Sequence, residues 1–152
     1  LGQLCARVLA LSGAEVAVVG RNPQTMALLP RGIRRVDSNE AGSVAGADLV
    51  VDCTGSPDGL GLASSLVRAR GTVVLKTTVH DVGTMNPNRW VIEEQTIVGS
   101  RCGPFAPALR LLASGAVDPR PLISARYPLR NGVAALARAA EPGVVKVLVE
   151  VG

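Results

Sequence analysis

Aromatic residues are nearly missing from this sequence: its 152 residues include one Phe, one Tyr and one Trp. Proteins that bind single-stranded nucleic acid stack the bases on aromatic side chains, so this composition argues against such a surface. The net charge of +4 does not reverse that conclusion, because the basic residues are scattered along the chain. We therefore expect no nucleic-acid partner. A modest positive charge suits a phosphate-bearing ligand equally well.

Cysteine and histidine are also scarce. Cys5, Cys53 and Cys102 are widely spaced and form no Cys-x-x-Cys pair, so we expect neither a disulfide framework nor a zinc site within this chain. His80 is the single histidine, and it has no second ligand at a suitable spacing and no Gly-x-Ser-x-Gly nucleophile motif to serve. We therefore predict no catalytic residue and no metal ligand in this chain. Reduced thiols favour a cytoplasmic location.

Long hydrophobic runs are absent as well. No run reaches the ~18 residues that a membrane span needs, and no basic-then-apolar leader is present, so we expect no membrane association. The first residue is Leu rather than Met, from which we expect the sequence to begin inside a longer chain. A chain of this length with 47% hydrophobic residues can form one domain with a packed core.

The sequence does contain a regular alternation of strand-like and helix-like segments. Apolar runs rich in β-branched residues predict buried strands, and apolar residues at helical spacing predict helices. The predicted strands are 16–19, 33–36, 47–54, 72–75 and 95–98, and the predicted helices begin near Leu4, Asn22, Ser56 and Pro107. Strands separated by helices of this length indicate an α/β fold with a doubly wound, mostly parallel sheet and helices on both faces.

The alternation changes after Pro119. Residues 121–127 are predicted to be extended, residues 131–140 to be helical and residues 144–151 to form a terminal strand. We interpret residues 1–120 as one nucleotide-binding domain and residues 121–152 as a segment that leaves its sheet.

A glycine at the start of the chain gives the first indication of a ligand. Dinucleotide-binding folds of the Rossmann type carry Gly-x-Gly-x-x-Gly between their first strand and first helix. Gly2 stands directly before the first predicted helix, where the third glycine would let helix and strand pack closely. In this register the first strand and the first two glycines would precede the chain, and the helix N-terminus would face a pyrophosphate.

The end of the second strand of such a fold selects between nicotinamide cofactors. An acidic residue there accepts hydrogen bonds from the ribose 2′-hydroxyl of NAD. This sequence has Gly20-Arg21-Asn22 instead. Gly20 removes a carboxylate that would repel a 2′-phosphate, and the Arg21 guanidinium can donate charge-assisted hydrogen bonds to that phosphate. The pattern favours NADP(H), with NAD as the alternative. The competing interpretation is an ordinary exposed arginine before an Asn-Pro helix start.

Polar residues end three further predicted strands. Thr54-Gly55-Ser56 closes one strand, Lys76 closes the next, and Ser100-Arg101 closes the last. Ligands of open α/β sheets bind outside the carboxyl ends of the strands, so these residues are candidates for contact with the ribose and nicotinamide. The competing interpretation is that each of these residues simply forms a turn or lies on the solvated surface.

Several stretches taken together resemble the zinc-containing alcohol dehydrogenases of the medium-chain dehydrogenase/reductase superfamily. The resemblance covers nearly the whole chain and is carried by the order and spacing of residues 14–22, 47–57, 70–76, 96–105 and 115–129. It implies that a chaperonin-10-like domain with the catalytic zinc precedes this chain, and that residues 121–152 return to that domain. It also implies a homodimer that pairs through the edge strand at residues 95–102.

The function that we expect follows from the motifs and the resemblance together. The chain would be the cofactor-binding portion of an NADP(H)-dependent oxidoreductase that transfers hydride between nicotinamide and an alcohol or carbonyl substrate, and it would be inactive alone. The alternatives are a zinc-free quinone or enoyl reductase of the same superfamily and a non-catalytic nucleotide-binding module. A short-chain dehydrogenase is disfavoured, because Tyr127 is followed four residues later by Asn131 rather than by Lys.

Overall fold

The structure, a computed structural model, describes residues 1–79 and 86–152. Helices and strands alternate as predicted, in the order α1 (Gly2–Ala10), β1 (Ala17–Gly20), α2 (Pro23–Ala27), β2 (Arg34–Asp37), β3 (Ala47–Asp52), α3 (Gly59–Leu66), β4 (Val67–Leu75), α4 (Asn88–Ile92), β5 (Thr96–Gly99), α5 (Phe105–Ala113), β6 (Ile123–Pro128), α6 (Gly132–Ala139) and β7 (Lys146–Glu150). Short 3-10 helices lie at Ser38–Val44, Arg120–Leu122 and Leu129–Asn131. Within the described residues, no helix has the length and apolar character that crossing a membrane requires.

The chain divides into two compact units, and the first consists of Leu1–Gly2 and Val36–Pro104. Its centre is a three-stranded sheet in the order β3-β4-β5. Both strand pairs are parallel, with Val51 opposite Val74 and Val74 opposite Val98. Parallel pairing with α3 between β3 and β4 confirms the predicted α/β class, because parallel neighbours need a crossover connection.

The core of the first unit lies where α3 packs on β3 and β4. Ala63, Val67 and Val73 are buried there, and Val73 has no exposed surface. Leu49 in β3 stays 45% exposed, so the described chain does not cover both faces of this strand, which its apolar sequence had led us to expect.

The start of β4 differs from the prediction. We expected the strand only at residues 72–75, but α3 ends at Leu66 and β4 begins at Val67. Its register against β3 shifts between Ala47 and Leu49, and Arg70 takes a φ of +61° at this irregularity. A Cβ on Gly71 would lie 3.0 Å from the carbonyl oxygen of Asp48, so glycine allows the two backbones to approach.

The second unit consists of Gln3–Arg35 and Phe105–Gly152. Ala6, Leu29 and Ile33 form a buried cluster in it, which β1 lines through Val18. β6 and β7 pair in parallel as a separate two-stranded sheet, with α6 packed against both strands. The two C-terminal strands therefore pair with each other in a sheet of their own. The domain boundary that we predicted near residue 120 stays a prediction.

A buried arginine fastens α1 to the end of α2 in this unit. Arg7 is 7% exposed and donates to the backbone and side-chain oxygens of Gln3 and, over 2.7 Å, to the carbonyl oxygen of Leu28. Burial lowers the pKa of the Arg7 guanidinium, and the negative charge of Asp118 partly opposes that shift. Hydrogen bonds from Arg120 lower the pKa of the Asp118 carboxyl in turn. The cationic form of Arg7 is therefore satisfied by oxygen acceptors inside the unit.

The buried position of Val73 yields a stability prediction. Replacing Val73 by Ala should lower the free energy of unfolding by about 2 kcal/mol, because the substitution leaves a cavity in the core of the sheet. Chemical denaturation followed by circular dichroism measures this difference. The same change at Val91, which is 77% exposed in the same unit, serves as the control and should cost less than about 0.5 kcal/mol. Equal effects at the two positions would contradict the assigned core.

Candidate cofactor site

The carboxyl end of β3 is organised around a buried aspartate. Asp52 is 4% exposed, and its Oδ1 accepts a hydrogen bond from the backbone N–H of Thr54 over 2.8 Å. Its carbonyl oxygen accepts from the backbone N–H of Lys76 and from the hydroxyl of Thr77, over 3.0 and 3.3 Å. A buried carboxylate needs a donor, so the chain that follows β3 must turn back to supply the Thr54 N–H.

The turn Thr54–Ser56 is held by hydroxyl groups. The backbone N–H of Gly55 donates to Thr77 Oγ1 over 3.1 Å, and the N–H of Ser56 donates to Thr54 Oγ1 over the same distance. Gly55 has a φ of +67°, which favours glycine at this position. The structure therefore places the three predicted residues in one fixed turn at the carboxyl end of a parallel strand, where ligands of such sheets bind.

The helix after this turn begins later than expected. Ser56-Pro57 was predicted to open it, but α3 begins at Gly59, after Asp58. A Cβ on Gly59 would lie 2.7 and 2.8 Å from the two carboxylate oxygens of Asp52, so only glycine lets the helix start this close to the aspartate. The sequence analysis missed the roles of Asp52, Gly59 and Thr77. The signal that could have found them was an aspartate at the end of a buried strand, two residues before Thr54-Gly55-Ser56.

Lys76, Ser100 and Arg101 meet at the ends of β4 and β5. The ammonium group of Lys76 lies 3.2–3.3 Å from three acceptors, namely the carbonyl and hydroxyl oxygens of Ser100 and the carbonyl oxygen of Arg101. An ammonium group has three N–H donors, so these acceptors can satisfy all of them. Lys76 is thus held against the neighbouring strand end rather than solvated, which was the competing interpretation. The Arg101 side chain is exposed.

Gly2 begins α1 and lies beside Cys53. A Cβ added to Gly2 would be 3.5 Å from the Cβ of Cys53, which is ordinary van der Waals contact. The space next to Cys53 would therefore accept alanine. A requirement for glycine at this position would therefore have to come from a bound ligand. Contact between Gly2 and the cofactor stays a prediction.

The second unit holds the three remaining candidates, Gly20, Arg21 and Asn22. β1 ends at Gly20, and Asn22 caps α2 as predicted, with its Oδ1 accepting from the N–H of Thr25 over 3.1 Å. A Cβ on Gly20 would lie 2.5 Å from the sulfur of Met26, a packing demand that the sequence analysis missed. Arg21 is exposed, and within residues 1–79 and 86–152 it forms no ion pair or hydrogen bond.

The first unit therefore brings together seven predicted residues at one edge of its sheet: Gly2, Thr54, Gly55, Ser56, Lys76, Ser100 and Arg101. The second unit holds Gly20, Arg21 and Asn22 in one turn. His80 lies outside the described residues. In the part of the chain that the structure describes, no group of three or more His, Cys, Asp or Glu residues is arranged to hold a metal ion.

Comparison with known proteins relates the chain to alcohol and polyol dehydrogenases. No family model matches the chain. A Rhizobium meliloti (strain 1021) protein that carries the provisional name D-xylulose reductase is 37% identical over 112 residues, which is 69% of this chain and 32% of that protein. The chain thus spans about a third of the curated relative.

Solved structures of whole dehydrogenases match almost all of the chain. L-idonate 5-dehydrogenase from Escherichia coli K-12 is similar with a TM-score of 0.88 and 23% identity, over 98% of this chain and 47% of that one. A structure from Sinorhizobium meliloti 1021, provisionally named a zinc-binding dehydrogenase and bound to NADP, has a TM-score of 0.86 and 26% identity, over 97% of this chain and 48% of that one. The chain spans about half the length of both.

The hydroxyl of Thr77 gives a prediction for the turn. Replacing Thr77 by Val keeps its shape but removes the acceptor of the Gly55 N–H, and this should lower the free energy of unfolding by about 1 kcal/mol. Urea denaturation measures the change. Thr72→Val is the matched control, since no hydrogen bond of the Thr72 side chain is found among the described residues. If both variants unfold at the same urea concentration, Thr77 does not hold the turn.

Proposed function

Since this chain belongs to the medium-chain dehydrogenase/reductase superfamily of zinc-type alcohol dehydrogenases, we propose that it is the cofactor-binding portion of an NADP(H)-dependent oxidoreductase. The reaction oxidises an alcohol to a carbonyl compound, while hydride passes to NADP⁺ and a proton is released, or it runs in reverse. The polyol/ketose pair suggested by the name of the Rhizobium relative is the first substrate couple to try. In this proposal the zinc ligands come from outside this chain.

The observation that carries the cofactor assignment is the turn after β1. Gly20 offers no carboxylate to the ribose 2′-hydroxyl of NAD, and the exposed guanidinium of Arg21 is not occupied by any carboxylate of the described residues. An arginine in this state can donate two hydrogen bonds to a 2′-phosphate. The NADP bound to the Sinorhizobium structure supports the same choice for a chain that is 26% identical to it.

A second part of this proposal assigns contacts with the ribose and nicotinamide to residues of the first unit. The turn Thr54–Ser56 presents backbone next to a strand end, and Gly55 leaves room for a ribose. Lys76 and Ser100 would form a polar surface beneath the cofactor, since the Lys76 ammonium group is held by hydrogen bonds to the oxygens of Ser100. When bound, the cofactor accepts or donates the hydride, and the chain supplies its binding and orientation.

Cofactor preference is testable on the chain directly. NADPH should bind more tightly than NADH, and Arg21→Ala should weaken NADPH by roughly tenfold or more, because a hydrogen bond to a charged group contributes about 1.5–3 kcal/mol. NADH binding should change little. Quenching of the fluorescence of Trp90 and energy transfer to the reduced nicotinamide provide the readout.

The matched control is Arg31→Ala, which removes the same charge from an exposed arginine of the same unit. It should weaken NADPH by less than about twofold, since it removes a screened surface charge without removing a proposed hydrogen bond to the phosphate. Tighter binding of NADH than of NADPH would reverse the cofactor assignment. Saturable binding of neither would contradict the proposal that this chain binds a nicotinamide cofactor.

We also propose that the protein forms a homodimer through the strand edge at residues 95–102 and resides in a reducing cytoplasm. β5 is one of the two outer strands of the described three-stranded sheet, and Val98 is 42% exposed. An outer strand with exposed apolar side chains is suited to pairing with a second copy. All three cysteines are described, and none is in a disulfide.

The dimer proposal is tested by sedimentation. The protein should sediment as a dimer at micromolar concentration, and Val98→Lys should shift it toward the monomer, because a charge at the paired edge must be desolvated. Val91→Lys, on the exposed face of α4, should leave the dimer intact. A monomeric wild-type protein would contradict this part of the proposal.

A further inference from the structure

The C-terminal part of the second unit approaches the turn that carries Arg21. Gly143 lies in the turn before β7 and has a φ of +83°. A Cβ at this residue would lie 2.6 Å from Oε1 of Gln24 and 3.5 Å from Nδ2 of Asn22. The side chains of two residues that follow Arg21 closely therefore lie against the backbone of Gly143. A larger residue there would have to displace Gln24.

The hydrogen bonds of this region leave amide donors unused. Asn22 accepts from Thr25 through its Oδ1, so its Nδ2 is directed elsewhere. Within residues 1–79 and 86–152 neither Nδ2 of Asn22 nor Nε2 of Gln24 donates a hydrogen bond. Gln24 is exposed, so its amide group is accessible to a ligand. Within three residues after Arg21, the sequence thus carries two carboxamides whose N–H groups donate no hydrogen bond to the described part of the chain.

The backbone below these side chains is firmly held. The side-chain amide of Gln3 donates to the carbonyl oxygen of Thr25 over 2.7 Å, and the Thr25 hydroxyl donates to the carbonyl oxygen of Asn22 over 3.0 Å. The acidic residue of the C-terminal turn, Glu141, forms an ion pair with Arg138. Its carboxylate is therefore neutralised, so the turn adds no unpaired negative charge beside the amides.

We propose that Gln24 is a further cofactor-specificity residue, which donates from its amide to a 2′-phosphate beside Arg21, and that Gly143 is a positioning residue that holds Gln24 in place. This inference rests on the proposed NADP(H) function. A phosphate monoester presents several anionic oxygens and accepts several hydrogen bonds, whereas a ribose hydroxyl accepts few. Loss of Gln24 therefore acts on the binding of NADPH and spares that of NADH.

The first experiment changes Gln24 itself and measures the dissociation constants of NADPH and NADH for the full chain. Gln24→Glu keeps the shape and places a carboxylate against the phosphate, so it should weaken NADPH about tenfold. Gln24→Ala should weaken NADPH about fivefold, as expected for one lost hydrogen bond. NADH should stay within about twofold in both variants. Arg31→Gln changes the net charge as Gln24→Glu does and should not alter the ratio of the two constants.

The second experiment isolates Gly143 with a matched glycine. Gly13 has a φ of +80°, and a Cβ there would meet no atom within 4 Å. Gly143→Ala and Gly13→Ala therefore share the same backbone strain, but only the former pushes on Gln24. Gly143→Ala should reduce the preference for NADPH about threefold to fivefold, whereas Gly13→Ala should leave the preference unchanged. In a Gln24→Ala background, Gly143→Ala should have no further effect on the ratio.

The outcomes separate this inference from the proposed function. A wild-type protein that prefers NADPH, together with Gln24 variants that keep the wild-type ratio, would refute the role of Gln24 and leave the NADP(H) assignment standing. If Gly143→Ala weakens both cofactors equally, or if Gly13→Ala changes the ratio as much, Gly143 does not act through Gln24. A wild-type protein without preference for NADPH overturns both proposals together.

Discussion

The hydrogen bond that the buried Asp52 carboxylate accepts from the Thr54 N–H constrains the carboxyl end of β3 in the first unit. A carboxylate that is 4% exposed loses its hydration and must be compensated by donors. Thr54 supplies one donor from its backbone, which forces the chain to turn directly after β3. The close approach of α3 to the same carboxylate requires Gly59. The path of the turn, the start of the helix and the position of Gly55 thus follow from a single buried charge.

The parallel pairing of the strands extends this constraint along the edge of the sheet. Leu75 pairs with both Asp52 and Gly99, so the residues that follow all three strands emerge side by side. Thr77 bonds to the turn after β3, and the adjacent Lys76 bonds to the strand end of β5. The two residues that follow β4 thus form hydrogen bonds with the chain at the ends of both neighbouring strands, β3 and β5. The edge is organised by hydrogen bonds within the chain, an arrangement that would lower the entropy cost of binding a ligand there.

Local patterns predicted the elements well, whereas contacts distant in sequence could not be predicted. Asn22-Pro23 predicted the start of α2 correctly, because the Asn22 cap and the Thr25 N–H that donates to it are only three residues apart. The start of α3 was placed too early, since its position depends on the Asp52 carboxylate rather than on the nearest cap residue. The beginning of β4 was placed too late, because the close approach of Gly71 to Asp48 appears only when the strands pair. Nothing in the local sequence around Gly143 or Gln24 predicted the contact between these two residues.

The packing around Gly20 couples the residue type at this position to the packing of α2. Gly20 was chosen as a candidate on the basis of charge, since it removes a carboxylate that would repel a 2′-phosphate. In the structure glycine is also favoured sterically at this position, because a Cβ would lie 2.5 Å from the Met26 sulfur. An aspartate at this position would have to displace the Met26 side chain, which packs against the buried cluster of Ala6, Leu29 and Ile33. Introducing an aspartate at this position therefore requires repacking beneath α2 as well as a new charge, and a smaller residue in place of Met26 would provide the room.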